Sequence, residues 1–263
     1  FHKGNLTYPN EEMYKDLEKL LGQPIFQQKA AILKVTLNLK NNRVWRRLIM
    51  PYDITFEKLH LIIQTAFNWQ NWHLHDFNVY DKKGPAVNIV QSEDDFEFPS
   101  ELPRVLETDL KIGEYIPKHK RLLYRYDFGD NWEHRIEVED LEFGYNKSYS
   151  VCLDGEGNTP PEDVGAEHGY KEFLNIISNP GHAEYKETKR WANMQRYKEF
   201  NIDNVNYSLK RLTPDIVIQK DQAWFDTKQW QKEEQQVSKE IAEDKLNVAK
   251  NKKDLFDDLG LDE

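Results

Sequence analysis

Apolar and polar residues alternate with period two through Leu33, Val35, Leu37 and Leu39 against Lys34, Thr36, Asn38 and Lys40, and the alternation resumes at Val44 after Asn41-Asn42. Period two places each set on one face of a strand, so the pattern predicts a hairpin with one buried face. At Thr55 the period changes. Phe56, Leu59, Ile63, Ala66 and Phe67 recur at helical spacing behind a threonine suited to an N-cap, which predicts a helix lying on that sheet. Residues 72–91 then read as two more strands, "WHLHDFNVY" and "PAVNIVQ", joined through Asp81 to Gly84, and the acidic run from Glu93 to Glu101 reads as a loop.

The clearest hairpin is "RLLYRYDFGDNWEHRIEVEDL", in which Leu122, Tyr124, Tyr126 and Phe128 share one parity and Trp132, His134, Ile136 and Val138 share another. Setting Phe128 opposite Trp132 gives a loop of Gly129, Asp130 and Asn131, puts Tyr126 across from His134, and keeps both apolar sets on one face. Asp127 then faces Glu133 on the opposite side, with Arg125 and Arg135 next along, a charge pattern suited to a solvated face. His134 falls on the apolar side, where a satisfied core histidine, bonded for instance to a tyrosine hydroxyl, is the plainer reading than a ligand.

Beyond the hairpin, Gly and Pro turns give way to helical periods. Thr159 is placed to cap a short helical turn from Pro160, with Glu162 and Asp163 near its start and Gly165 at its end. Tyr170, Phe173, Leu174 and Ile177 share a helical face stopped by Asn179-Pro180, and two further helices are expected over 182–196 and 203–211. A helix over 10–22 is expected at the other end, and from Lys220 the chain reads as a charged helix docked by Trp224, Phe225 and Trp230. The reading is therefore an α+β fold, an antiparallel sheet built from hairpins with covering helices and a helical C-terminal part. Its boundaries are an N-terminal helix and linker at 1–28, the main domain at 29–219, and a charged extension with an acidic end at 220–263.

Composition narrows the setting. One cysteine, Cys152, rules out an internal disulfide, and no apolar run approaches the roughly 20 residues of a membrane span, so a reducing cytoplasm is expected. The start "FHKGNLTYPNEEMYKDL" lacks the basic-then-apolar order of a secretory signal. A formal net charge of −10 disfavours nucleic acid, whereas the acidic and apolar end "LFDDLGLDE" suits a short protein-binding motif.

Chemistry is sparse. His73 and His75 flank Leu74, and on a strand both imidazoles point to one side, a spacing that suits one divalent transition metal. Further ligands would come from His134, Asp127, Asp130, Cys152, Asp154, Glu162 or Asp163, whose convergence the sequence leaves open. The chain holds no GxSxG, GxxxxGK[ST], HExxH or CxxC motif, and a lone Cys152 beside Leu153 reads more simply as a small buried residue than as a nucleophile.

Four stretches, "VWRRLIMP", "TFEKLHLIIQTAFNWQNWHLHDF", "YRYDFGDNWEHRI" and "CLDGEGNTPPEDVGAEHGYKEFL", in this order and at these separations, resemble the plasmid pRiA4b ORF-3-like family from about Ala31 to Leu212. The resemblance implies an α+β fold and relatives in plasmids and mobile elements. It also implies a recurrent polar set matching His73, Asp127, Asp130, Trp132, His134, Cys152, Asp154, Gly155, Pro161, Glu162, Asp163 and Gly165. Two departures fall at turns: Asn68 stands where the family usually has glycine, and Ala166 replaces the second of two glycines. Two functions follow. A non-catalytic binding or adaptor protein, engaging a protein through its acidic tail or hairpin face, is favoured because no motif specifies a nucleophile. The alternative is a metal-dependent hydrolase-like enzyme with a site drawn from His73, His75, His134 and Asp130 together with the neighbouring carboxylates.

Overall fold

A computed structural model describes residues 28–212, apart from 41, 98, 99, 109 and 117. The helix expected over 10–22 and the extension from Lys220 lie outside the described residues. Strands β1 (Gln28–Leu37) and β2 (Val44–Pro51) form the first hairpin, and α1 (Phe56–Phe67) follows. Then come β3 (His75–Tyr80), β4 (Pro85–Val90), a 3-10 turn (Glu93–Glu97), β5 (Arg104–Leu106), α2 (Ile112–Tyr115), β6 (Arg121–Tyr126), β7 (Trp132–Tyr145) and β8 (Val151–Glu156). Helices α3 (Ala166–Ile177), α4 (Tyr185–Met194) and α5 (Ile202–Arg211) complete the described chain. All eight described strands join one sheet in the order β5-β4-β3-β6-β7-β1-β2-β8, antiparallel except for the β4–β5 pair. The fold is α+β.

Alternation decides which face is buried. Leu33, Val35 and Leu37 of β1, Leu48 and Met50 of β2, Phe77 and Val79 of β3, and Leu122, Tyr124 and Tyr126 of β6 pack with Phe56, Leu59, Ile63 and Phe67 of α1. The Thr55 hydroxyl accepts from the Lys58 N–H at 3.2 Å and starts α1, as its position implies. Asn68 ends the helix in the left-handed conformation, φ 59°, so the asparagine takes up the geometry that glycine would supply. Trp69 therefore leaves the helix toward the loop end of the sheet.

Several expectations change. The register pairs Tyr126 with Trp132 and Tyr124 with His134, so the loop runs over five residues, Asp127 to Asn131, and Arg125 rather than Asp127 faces Glu133. The apolar parity holds while the pairing slips by two. The cause is Asp127, at φ 56°, which leaves the strand and turns Phe128 outward to 47 % exposure. The strand expected from residue 72 begins at His75, whose cross-strand partner is Tyr126, the last residue of β6. His73 thus occupies the bend before β3, and the shared strand face expected of His73 and His75 does not form. No helical turn forms at Pro160 to Gly165, because Asp163 adopts φ 55° and breaks it. Strands β5 and β8 and helix α2 were not expected. No described helix is long and apolar enough to cross a membrane.

Candidate metal centre

Three segments meet at one end of the sheet: the bend between α1 and β3, the β6–β7 loop, and the Pro160 to Gly165 loop before α3. Trp69 ties two of them together, donating its indole N–H to the Pro160 carbonyl at 2.9 Å. Glu162 ties the third. Its Oε1 accepts from the Gln70 N–H at 2.8 Å and from the Tyr126 hydroxyl at 3.0 Å, and that hydroxyl in turn accepts from the Trp72 N–H at 3.0 Å. Asp130 closes the triangle from the hairpin side, its Oδ2 accepting the Gly165 N–H at 3.1 Å. Each bond spans loops that local sequence leaves unconstrained.

The loop carboxylates are aimed by their own backbones. Asp127 Oδ1 accepts from the Gly129 and Asp130 N–H groups at 3.0 and 3.2 Å, an Asx turn that leaves Oδ2 facing His73. His73 Nε2 lies 3.6 Å from Asp127 Oδ2, 3.2 Å from Asp163 Oδ1 and 3.8 Å from Glu162 Oε2. One ligand atom from each of His73, Asp127 and Asp163 falls within 4.8 Å of the others, the only such group of three among the described residues. Among the described residues, neither His73 Nε2 nor Glu162 Oε2 finds a hydrogen-bond partner, although both atoms are buried. Such atoms are costly unless something else satisfies them.

Burial pushes the Glu162 carboxyl above the ordinary carboxylate range, opposed by the bonds from Gln70 and Tyr126 and by the His73 ring, and reinforced by Asp163. Burial likewise raises the Tyr126 phenol, with the Glu162 charge adding to it, so the hydroxyl stays protonated as the donor it is here. An imidazole nitrogen surrounded by carboxylate oxygens is a mixed N/O donor set of the kind that suits zinc, manganese or ferrous iron. Asp163 is half-exposed and opens the cluster to solvent.

The remaining sequence candidates lie elsewhere. His75 is buried in the core, its Nε2 2.8 Å from Glu107 Oε2 and its ring stacked on His60 at 3.4 Å. His134 sits fully buried against Phe67, Trp69 and Tyr124, and neither ring nitrogen makes a hydrogen bond of ordinary geometry. The tyrosine hydroxyl expected for it goes to His60, whose Nδ1 is 2.8 Å from Tyr124 Oη. Neither His75 nor His134 joins a three-ligand group among the described residues. Asp130 positions the loops through Gly165. Trp132 packs on Trp69. Cys152 is buried in β8, its thiol pushed up to about 11 by burial and directed to the Asp154 carbonyl at 3.3 Å. The Asp154 carboxylate is on the surface, 3.4 Å from Arg47. Gln70, Tyr126 and Trp69 are not site candidates from sequence, because each acts through a loop whose partner is distant in the chain. His60 and Glu107 were missed too, although His60 shares the apolar stripe of α1.

The sequence model of the plasmid pRiA4b ORF-3-like protein matches residues 29–209. An uncharacterized protein, y4hQ, of Sinorhizobium fredii is 34% identical over 167 residues, which cover 63% of this chain and 81% of that relative. Among solved structures, the protein of unknown function MM3350 from Methanosarcina mazei Go1 is similar at a TM-score of 0.58 and 30% identity, over 68% of this chain and 98% of that one.

Proposed function

The chain belongs to the plasmid pRiA4b ORF-3-like family, and from that premise we propose that it is a metal-binding domain holding one divalent transition-metal ion between His73, Asp127 and Asp163, with Glu162 beside it. The observation that carries this reading is the pair of buried, unbonded atoms, His73 Nε2 and Glu162 Oε2, 3.8 Å apart. A cation satisfies both at once and offsets the charge of the surrounding carboxylates. Asp127 Oδ2 is free for it because backbone N–H groups occupy Oδ1.

The activity that fits such a site is metal-assisted hydrolysis. A water on the ion would have its pKa lowered toward neutrality, and Glu162, already biased toward taking up a proton, is the acceptor beside it. The adaptor reading keeps one observation in its favour. Trp72 and Leu74, which flank His73, and Phe128, which follows Asp127, are 56%, 58% and 47% exposed, an apolar rim suited to a protein partner. We place either activity in the cytoplasm, on the strength of the composition.

Elemental analysis of the full chain, followed by calorimetric titration of the chelator-treated protein with zinc and manganese, tests the proposal. About one ion per chain is expected, with H73A and D127A each lowering affinity at least tenfold. No bound metal, no heat on titration and no change of melting temperature with chelator would overturn it.

A further inference from the structure

The sheet face turned away from α1 carries a second site of opposite character. A groove of about 530 Å³ runs across β3, β6, β7, β1 and β2, within the usual size of ligand pockets. Among the described residues its lining includes Lys34, Arg43, Arg121 and Arg135 and no carboxylate, on a chain whose net charge is −10. Tyr80 stands toward one end and Trp45 toward the other. The register explains the gathering: Arg135 faces Leu123 on one side and Thr36 on the other, and Thr36 faces Trp45, so one cross-strand row supplies the floor.

Nearby acids only loosely engage these cations. Glu137 Oε2 is 3.7 Å from Arg135 Nε and Glu156 Oε2 is 3.8 Å from Arg43 Nε, both pairs well exposed to solvent. Glu137 also stands across from Arg121 and from Lys34. The Lys34 ammonium lies 4.8 Å from the Trp45 ring centroid.

We propose that this groove binds an organic phosphate of nucleotide size, its phosphate oxygens held by Arg121 and Arg135, and its aromatic part laid against Tyr80. Guanidinium forks match phosphate oxygens in geometry as well as charge, and a pocket this small limits the number of phosphates it neutralises. The surrounding negative field favours a compact anion over a polyanion, because only the local cations offset it.

Calorimetric titration of the full chain with ATP in the presence of EDTA tests this apart from the metal centre. Micromolar binding is expected, unchanged in H73A and weakened at least tenfold in the R121E/R135E double variant, whose fold is checked by its melting temperature. Millimolar ATP without heat, or equal binding by the double variant, would overturn the assignment. So would inorganic phosphate competing at the same concentration as ATP, or a single-stranded oligonucleotide binding tenfold more tightly.

Discussion

Glu162 is 1 % exposed, its Oε1 takes two hydrogen bonds and its Oε2 takes none. Its folded pKa lies above the ordinary value because of burial, so the native state holds that proton more tightly than the unfolded chain. The sign follows directly: the contribution favours folding at low pH and is lost as pH rises through the folded pKa. Replacing Glu162 by Gln keeps the shape and removes the ionisation. In chelator at pH 7, E162Q is therefore expected to be more stable than the parent by about 1 kcal/mol, the scale seen when a functional site is relieved of strain. With zinc the order should narrow or reverse, since the variant gains less from the ion. Denaturant melts with and without metal check both halves, and a variant less stable in chelator would count against an uncompensated Glu162.

At the scale of elements, the sequence made the strand faces legible and left the loops obscure. Period two identified the buried sides of β1, β6 and β7 because every second residue had to enter the core, and the same rule could not detect a slip of two residues, which preserves parity. The slip at the β6–β7 hairpin was set by Asp127 in the left-handed region, and Asp163 likewise broke the expected helical turn. Both are carboxylates of the candidate metal centre, so the departures fall where local preference yields to contacts between loops. Asp127, Glu162 and Asp163 were named from residue chemistry, whereas their convergence on His73 rests on bonds between segments far apart in the chain.

The loop before α3 shows the same tension in a form open to measurement. Ala166 begins α3 at φ 56°, a conformation that costs an L-residue roughly 1–2 kcal/mol. Glycine there escapes the clash, a gain partly offset by the extra freedom it gives the unfolded chain, so A166G is expected to stabilise the protein by about 0.5–1 kcal/mol. Three residues on, Gly169 has the opposite constraint. A Cβ on it would lie 1.8 Å from the Val164 carbonyl oxygen, next to Asp163. G169A must displace that loop, at a cost of about 1–3 kcal/mol, and should weaken metal binding at least tenfold by moving Asp163. If G169A lost stability while keeping full metal affinity, Asp163 would not be a ligand.

At the scale of the described molecule, acid sensitivity is expected from two buried histidines that lie outside the candidate metal centre. Burial holds His134 neutral, down to about 3, opposed by the backbone of Tyr124 and Trp132, and burial together with His75 takes His60 to about 3. Unfolded, each would titrate near the ordinary histidine value of about 6.5. Below that pH the unfolded state takes up protons that the native state refuses, so the contribution of these two histidines is full above about pH 6.5 and falls as pH drops toward 3. Each residue contributes a slope of about 1.4 kcal/mol per pH unit, and the pair about 2.8, against a total stability usually of about 5–15 kcal/mol. Acid unfolding should therefore begin near pH 5. In H134F the phenyl ring enters the same aromatic surroundings of Phe67, Trp69 and Tyr124, and about half of the histidine slope between pH 6 and 4 should disappear. Denaturant midpoints across that range decide the matter, because an unchanged slope would mean that His134 takes up its proton in the folded state.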